Sequence, residues 1–237
     1  MTLPVCGRYG GAMAPADPSP PRGYLAFVLH AHLPYVRHPE WEEAIEERWL
    51  FEAIAECYLP LLERFRRMRD DGVAFRLTMS LTPPLVAMLR DDLLRGRAER
   101  HLGRLVDLSE REAVRTKDDG AFGPVARFYR DRLGGLFDLW KALGGDLVGA
   151  FADLERTGHL ELMTSGATHG FLPLLAEAPG AVRRQIRAAC ALHASEIGHR
   201  PRGIWLPECA FAPEPELLDA LANEGLRFFV VDTHAID

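Results

Sequence analysis

Short apolar runs in this chain alternate with longer segments in which apolar residues recur every three or four positions. The runs predict five strands, at residues 24–30, 73–81, 160–164, 203–206 and 227–231. The longer segments have the periodicity of helices that pack one face against a core. Strands that alternate with helices predict an α/β architecture with parallel strands and right-handed crossover connections.

Three of the helical segments carry further signals. Residues 41–68 include Pro60 inside their apolar pattern, and because proline lacks a backbone N–H, we expect a kink or break near Leu59. Thr82 and Pro83 suit the N-cap and the first position of a short helix. Residues 90–152 are charged and helical without a convincing strand. They predict a helical insertion between the second and third strands.

Composition narrows the class of protein. The chain has 237 residues, 48% of them hydrophobic, which is enough for a substantial core in one domain. A formal net charge of −6 does not indicate the basic surface that nucleic-acid binding requires. The apolar runs at residues 25–29 and 228–231 fall well short of the roughly 20 residues of a membrane-spanning helix. We therefore expect neither nucleic acid nor a membrane as a partner.

The beginning of the chain differs from the remainder. Residues 1–22 are rich in Gly, Ala and Pro and lack the pattern of a signal peptide, so we expect a disordered leader before a globular part at residues 23–237. The cysteines share no C-x-x-C spacing, which argues against a zinc cluster or a disulfide framework and favours a reducing cytoplasm. They are Cys6, Cys57, Cys190 and Cys209.

A single carboxylate, Glu208, follows the fourth predicted strand. The carboxyl ends of parallel strands are where catalytic residues collect in α/β proteins. Trp205 and Phe211 flank Glu208 in the sequence, and carboxylates beside aromatic rings recur in sugar-binding sites. Glu208 is therefore a candidate nucleophile or acid. The structural alternative is an acid placed at a helix N-terminus, where the helix dipole favours it.

Three histidines stand at other predicted strand ends. His30 and His32 share one face of the first strand, because strand side chains alternate. His169 follows a Gly-Ala-Thr turn after the third strand, which suits a side chain projected into a pocket. Buried, hydrogen-bonded core histidines are one interpretation. A zinc site is another, since these histidines and Asp232 supply suitable ligand types.

Three segments, in order, resemble motifs of glycoside hydrolase family 57, and in particular of its α-1,4-glucan branching enzymes. They are residues 30–39 (HAHLPYVRHP), 166–173 (GATHGFLP) and 205–211 (WLPECAF). The resemblance implies a seven-stranded, incomplete (β/α) barrel, of which this chain holds the first five strands. Residues 23–237 are then expected to be the N-terminal portion of a catalytic domain with a partial (β/α)7-type barrel.

The resemblance also implies a retaining mechanism with Glu208 as the nucleophile and no metal or cofactor. The expected substrate-binding residues are His30, His32, His169, Trp205 and Phe211. The implied substrate is an α-1,4-glucan such as amylose or a glycogen-like polysaccharide, and the implied activity is branching in glycogen biosynthesis. α-Amylase and 4-α-glucanotransferase, which belong to the same family, are alternatives.

The general acid of the family is an Asp in a Tyr-Asp-x-Glu-Leu-Phe-Gly-His type of segment, which has no match in this chain. Asp232, at the next strand end, does not fit that pattern. We therefore expect a fragment that is inactive alone, either a truncated product or half of a split enzyme whose C-terminal half is encoded separately. An open fifth strand would expose an apolar edge, so we also expect low solubility.

Two functions of other classes remain open at this point. A metal-dependent hydrolase or deacetylase would use His30, His32 and Asp232 as ligands. A catalytically inert glucan-binding remnant would bind the polysaccharide without needing Glu208.

Overall fold

Five short strands form the centre of the computed structural model, which describes residues 23–235. They are β1 (Val28–Ala31), β2 (Leu77–Leu81), β3 (Leu160–Ser165), β4 (Gly203–Trp205) and β5 (Phe228–Val230). Their order in the sheet is the order in the sequence, and each neighbouring pair is parallel. Each crossover therefore advances by one strand, which is the arrangement of a barrel wall. The predicted leader, residues 1–22, lies outside the described residues.

Helices connect these strands. They are α1 (Glu47–Ala53), α2 (Leu59–Asp70), α3 (Pro83–Arg90), α4 (Asp92–Arg115), α5 (Phe122–Ala142), α6 (Leu147–Arg156), α7 (Leu172–Leu175), α8 (Ala181–Ile197) and α9 (Pro215–Asn223). Helices α3 to α6 lie between β2 and β3, which confirms the predicted helical insertion. Among the described residues, no helix is both long enough and apolar enough to cross a membrane.

The sheet is strongly curled. In a flat sheet, three strand spacings of about 4.8 Å would hold β1 and β4 roughly 14 Å apart. The ring of His30 on β1 nevertheless stacks on Trp205 of β4, with ring centroids 4.2 Å apart. The five strands therefore form the wall of a partial (β/α) barrel, which confirms the predicted fold class.

Two apolar clusters hold the helices on the outer side of this wall. The larger one joins the helical insertion and α1–α2 to β2 and β3 and includes the fully buried Phe151 and Leu59. The smaller one packs α8 and α9 against β4 through Ile186, Ile204 and Leu217. Both clusters cover the outer face of the wall. The polar side chains at the strand ends lie outside these clusters.

The predicted and observed element bounds differ at the first two strands. Strand β1 begins at Val28, not at Tyr24, and the side chains of Tyr24 and Leu25 are 92% and 80% exposed. Strand β2 likewise begins at Leu77. The physical reason is pairing, since an apolar run becomes a strand only where a neighbour accepts and donates its backbone hydrogen bonds.

Pro60 alters the helix around it without ending it. Residues Ile54–Tyr58 form a π-helical turn, and the N–H of Leu59 bonds to the carbonyl of Ile54, five residues earlier. Helix α2 then continues to Asp70. The wider turn accommodates a residue without a backbone N–H, so the disturbance predicted near Leu59 takes the form of a π-bulge.

Candidate active site at the carboxyl ends of the strands

Two histidines at the end of β1 are fixed by hydroxyls of the neighbouring strand. His30 pairs with Ser80 in the β1–β2 register, and its Nδ1 lies 2.6 Å from the Ser80 hydroxyl oxygen. The Nδ1 of His32 lies 3.1 Å from the Thr82 hydroxyl oxygen. Ser80 and Thr82 are fully buried. The two rings therefore have defined orientations before any ligand binds.

His169, in the turn after β3, is oriented by Ser165. The Ser165 hydroxyl donates to the carbonyl oxygen of Trp205 at 2.7 Å, so it accepts a hydrogen bond from His169 Nδ1 at 3.0 Å. The proton of the neutral imidazole is then on Nδ1, and Nε2 carries the lone pair. This Nε2 is buried and has no hydrogen-bond partner among the described residues. It is an acceptor without a partner, and it lies beside the Glu208 carboxylate.

Glu208 faces the same space from the end of β4. Its side chain is 70% exposed, and its Oε1 lies 3.7 Å from His169 Nε2. The residue lies in the short 3-10 turn Pro207–Cys209, and the next helix, α9, begins only at Pro215. Glu208 is therefore not the helix N-terminal acid of the structural alternative. It is a solvent-accessible carboxylate beside a cluster of rings.

The backbone is strained at this point. Among residues 23–235, the non-glycine residues with positive φ are His169, Glu208 and Cys209, with φ of 55°, 58° and 55°. Such conformations cost of order 1–3 kcal/mol each and persist where the surrounding structure fixes them. The N–H of Asp232 donates to the carbonyl of Cys209 at 2.9 Å and ties this turn to the end of β5. The strained turns direct His169 and Glu208 toward each other.

The histidines are held neutral. Burial, and then the nearby His32, lower the pKa of His30 to about 4. Burial, with His32 and His30 nearby, lowers the pKa of His169 to about 4. Burial also lowers the pKa of His32, against an opposing effect of the Glu208 carboxylate. At neutral pH the contact between His169 and Glu208 is therefore not an ion pair, and the rings offer neutral donors and acceptors.

The two aromatic residues predicted to bind substrate have different surroundings. Trp205 stacks on His30 at an interplanar angle of 18° and belongs to the ring cluster. Phe211 stacks on Phe229, with centroids 5.5 Å apart, and packs against the smaller apolar cluster. The structure therefore brings His30, His32, His169, Trp205 and Glu208 together and places Phe211 beside the core.

The ligand set of the metal-dependent alternative does not converge. The rings of His32 and His169 stack with centroids 3.6 Å apart, and ring nitrogens, whose lone pairs lie in the ring plane, cannot point at one ion from stacked faces. Asp232 is exposed, and its carboxylate accepts from the backbone N–H of His234 at 3.4 Å. Among the described residues, the group with three converging ligand atoms lies elsewhere.

Cys209 follows Glu208 in the same turn. Burial, with Asp232 and Glu208 nearby, raises the pKa of its thiol, so the reactive thiolate is disfavoured.

Three hydroxyl residues of the site are absent from the sequence-based prediction. Ser80, Thr82 and Ser165 fix the histidine rings, yet a serine or threonine in a strand carries no distinctive signal. Thr82 is the N-cap residue of α3 and Pro83 its first residue, as predicted, but the Thr82 side chain makes no capping bond and contacts His32 instead. One signal was available, because Ser80 and Thr82 alternate at the end of β2 as His30 and His32 do at the end of β1.

Known proteins are similar to this chain in sequence. TK1436, a 1,4-α-glucan branching enzyme of Thermococcus kodakarensis, is 38% identical over 231 residues, which are 91% of this chain and 33% of that protein. Rv3031, a probable 1,4-α-glucan branching enzyme of Mycobacterium tuberculosis, is 31% identical over 90% of this chain and 42% of its own length. The chain thus spans between a third and about two-fifths of these relatives.

Solved structures show the same similarity in three dimensions. AmyC, an α-amylase of Thermotoga maritima, superposes with a TM-score of 0.83 at 41% identity over 89% of this chain and 40% of its own. The structure of TK1436 with glucose gives a TM-score of 0.79 at 37% identity, over 87% of this chain and 39% of its own. The profile of Glycosyl hydrolase family 57 matches residues 26–236. This chain therefore belongs to glycosyl hydrolase family 57.

Proposed function

We propose that this chain supplies the nucleophile of the active site of a retaining enzyme that acts on α-glucans. We also propose that the activity of the whole protein is 1,4-α-glucan branching. The observation that carries this proposal is the position of Glu208. It is an exposed carboxylate on a strained turn at a strand end, beside a neutral histidine whose acceptor nitrogen has no partner among the described residues.

In this proposal Glu208 attacks the anomeric carbon of a glucosyl unit and forms a covalent glycosyl ester. The glycosidic bond breaks in the same step, and its oxygen leaves with a proton from the general acid. His169 Nε2 accepts a hydrogen bond from a sugar hydroxyl, and His30 and His32 line the same subsite. Trp205 offers an aromatic face to the apolar side of a pyranose ring. Because the histidines are neutral, they orient the sugar without neutralising the carboxylate.

A retaining enzyme also needs a general acid about 5–5.5 Å from the nucleophile. The amino-acid sequence of this chain has no segment like the Tyr-Asp motif of the family. We propose that the acid is supplied outside residues 23–235, by the same protein or by a separately encoded C-terminal half. This assignment rests on the resemblance of the motifs.

A glycosyl fluoride tests the nucleophile without the acid, because fluoride leaves without being protonated. We expect 5-fluoro-α-glucosyl fluoride to label the chain once, on the peptide that contains Glu208, with release of one fluoride ion. Glu208→Gln should abolish both the label and the fluoride burst, as measured by mass spectrometry of the digested protein and a fluoride electrode.

Glu214→Gln is the matched control, since Glu214 is an exposed carboxylate six positions along the same loop. It should label like the parent chain. Equal labelling of Glu208→Gln, or attachment of the sugar to Asp232, would contradict the proposal. An inert glucan-binding remnant would bind maltooligosaccharides without releasing fluoride.

α-Amylase activity is the second candidate, because AmyC is named an α-amylase and superposes closely on this chain. The two activities differ in the acceptor, which is a sugar 6-hydroxyl in branching and water in hydrolysis. With the whole protein and amylose, branching should create α-1,6 linkages while the number of reducing ends stays constant. An amylase would raise the number of reducing ends and form no α-1,6 linkages.

We further place the activity in glycogen-type glucan synthesis in the cytoplasm. Two features support this: the named relatives are branching enzymes, and the described cysteines Cys57, Cys190 and Cys209 are unpaired, as is usual in a reducing compartment.

A further inference from the structure

A second cluster of titratable side chains lies at the opposite end of the sheet from Glu208. Glu155 is near the end of α6, His193 is on α8, and His199 follows Gly198 just after α8. These helices lead into the amino ends of β3 and β4. One ligand atom from each of the three side chains lies within 4.8 Å of the others.

We propose that Glu155, His193 and His199 form a binding site for a divalent transition-metal cation, with Zn²⁺ as the preferred ion. The site is separate from the proposed glucan site and needs none of its residues.

The first observation is the unpartnered nitrogen of His193. The residue is 5% exposed, and its Nε2 has no hydrogen-bond partner among the described residues. A buried polar atom without a partner is unfavourable and uncommon in native proteins. A cation bound to Nε2 would satisfy this atom.

The second observation is that backbone groups already fix the orientation of the other two ligands. His199 Nδ1 donates to the carbonyl of Arg200 at 2.9 Å, which leaves Nε2 facing Glu155. The N–H of Leu162 donates to Glu155 Oε1 at 2.8 Å, which leaves Oε2 facing His199. Metal-binding histidines and carboxylates commonly have such outer partners.

The ligand types fit zinc. His199 Nε2 and Glu155 Oε2 form a hydrogen bond at 2.9 Å, and Zn²⁺ would replace the proton between them. Tetrahedral Zn²⁺ with ligands at about 2.0–2.1 Å holds its ligand atoms roughly 3.3 Å apart, so this pair would separate slightly. A small rotation of the half-exposed His199 is sufficient to admit the ion. Two imidazoles and one carboxylate suit Zn²⁺, whereas Mg²⁺ and Ca²⁺ prefer oxygen ligands.

The position of the site defines its role. A cation held by Glu155, His193 and His199 would join the end of α6 to the end of α8, the two helices whose strands carry Ser165 and Trp205. Because it lies at the opposite strand ends, it would stabilise the barrel wall rather than contact the glucan. His199 borders an open depression with Gly149 and Ile197, which gives the ion a path of entry.

The test is a zinc titration of the full chain after removal of any affinity tag and treatment with a chelator. In competition with a chromogenic chelator, we expect one Zn²⁺ per chain with micromolar or tighter affinity and a higher Tm in its presence. His199→Gln and Glu155→Gln should each weaken binding by about 100-fold or more. His199 is half exposed, and Gln at position 155 can still accept from Leu162, so both variants should fold.

Two control variants locate the ion. His159→Gln alters a histidine at the same end of the sheet that contacts Thr157 and Phe75 instead of the cluster. His32→Gln alters the proposed glucan site. Both should bind zinc like the parent chain. Failure of the parent chain to bind zinc would overturn the proposal, and so would unchanged affinity in His199→Gln and Glu155→Gln or a loss of binding confined to His32→Gln.

Discussion

Glu208 and His169 share strained backbones but have opposite electrostatic surroundings. Glu208 is open to solvent, whereas burial holds His169 neutral at a distance of 3.7 Å. A protonated histidine at that distance would form an ion pair with the carboxylate and lower its reactivity as a nucleophile. Neutrality of His169 thus keeps the carboxylate free while fixing a hydrogen-bond acceptor beside it.

The same burial predicts a pH dependence of stability. The folded-state pKa values of His30 and His169 are about 4, below the ordinary value of 6.5. Between these values the unfolded chain binds protons that the folded chain does not, so the free energy of unfolding falls as the pH falls from 6.5 toward 4. His30→Gln should make this decline shallower, as measured by urea unfolding across that pH range.

Any loss of the Ser80 contact in His30→Gln lowers stability at every pH, so the slope is the informative quantity. His234→Gln alters an exposed histidine and is the control. Equal slopes in the two variants would show that the cluster of histidine rings does not govern the acid sensitivity.

At the level of secondary-structure elements, the pairing of β4 with β5 depends on one glycine. Gly203 is in register with Phe228, and a Cβ built on Gly203 would lie 2.2 Å from the Phe228 ring. Gly203→Ala should therefore displace the ring and destabilise the fold by about 1–3 kcal/mol. Because β4 leads to Trp205 and Glu208, labelling by the glycosyl fluoride should also weaken.

Gly135→Ala is the matched comparison for this prediction. Gly135 lies within α5, and a Cβ there would meet open space. Alanine is the better helix former, so this variant should be more stable by about 1 kcal/mol. Opposite shifts of the two denaturation midpoints are expected, and equal midpoints would contradict the packing argument at Gly203.

The elements were predictable to different degrees. Apolar runs and helical periods located five strands and the helical insertion, because these patterns follow from burial of one face. The bounds of β1 and β2 were not predictable, since pairing with a neighbour decides where an apolar run is a strand. The π-helical turn before Pro60 could not be predicted from the sequence either, because a helix can accommodate a missing N–H in several ways.

For the molecule as a whole, the open sides of the outer strands are the feature from which we predict behaviour in solution. Among the described residues, β1 and β5 each pair on one side only. The sequence predicts an exposed apolar edge at the fifth strand, where the side chain of Phe229 is 38% exposed. The larger exposed apolar surface precedes β1, where Leu25 is 80% and Phe27 is 56% exposed.

This surface predicts concentration-dependent self-association of the chain. Leu25→Lys and Phe27→Lys should each reduce it, because a charge beside an open strand opposes pairing with another chain. Sedimentation velocity over a range of protein concentrations measures the effect. Val114→Lys removes an equally prominent apolar side chain, 72% exposed on α4, far in sequence from either edge. If it reduces association as much, general surface hydrophobicity is the cause.

The sequence by itself determined the α/β class, the helical insertion, the family and the identity of the chemically capable residues. These follow from local patterns and ordered motifs, which are properties of the sequence itself.

The tertiary structure alone decided which of these residues meet. The curl of the sheet brings His30 onto Trp205, the hydroxyls of Ser80, Thr82 and Ser165 fix the rings, and burial makes the histidines neutral. The same folding assembles Glu155, His193 and His199, whose spacing in the chain carries no signal, because contacts between distant residues depend on packing rather than on local sequence.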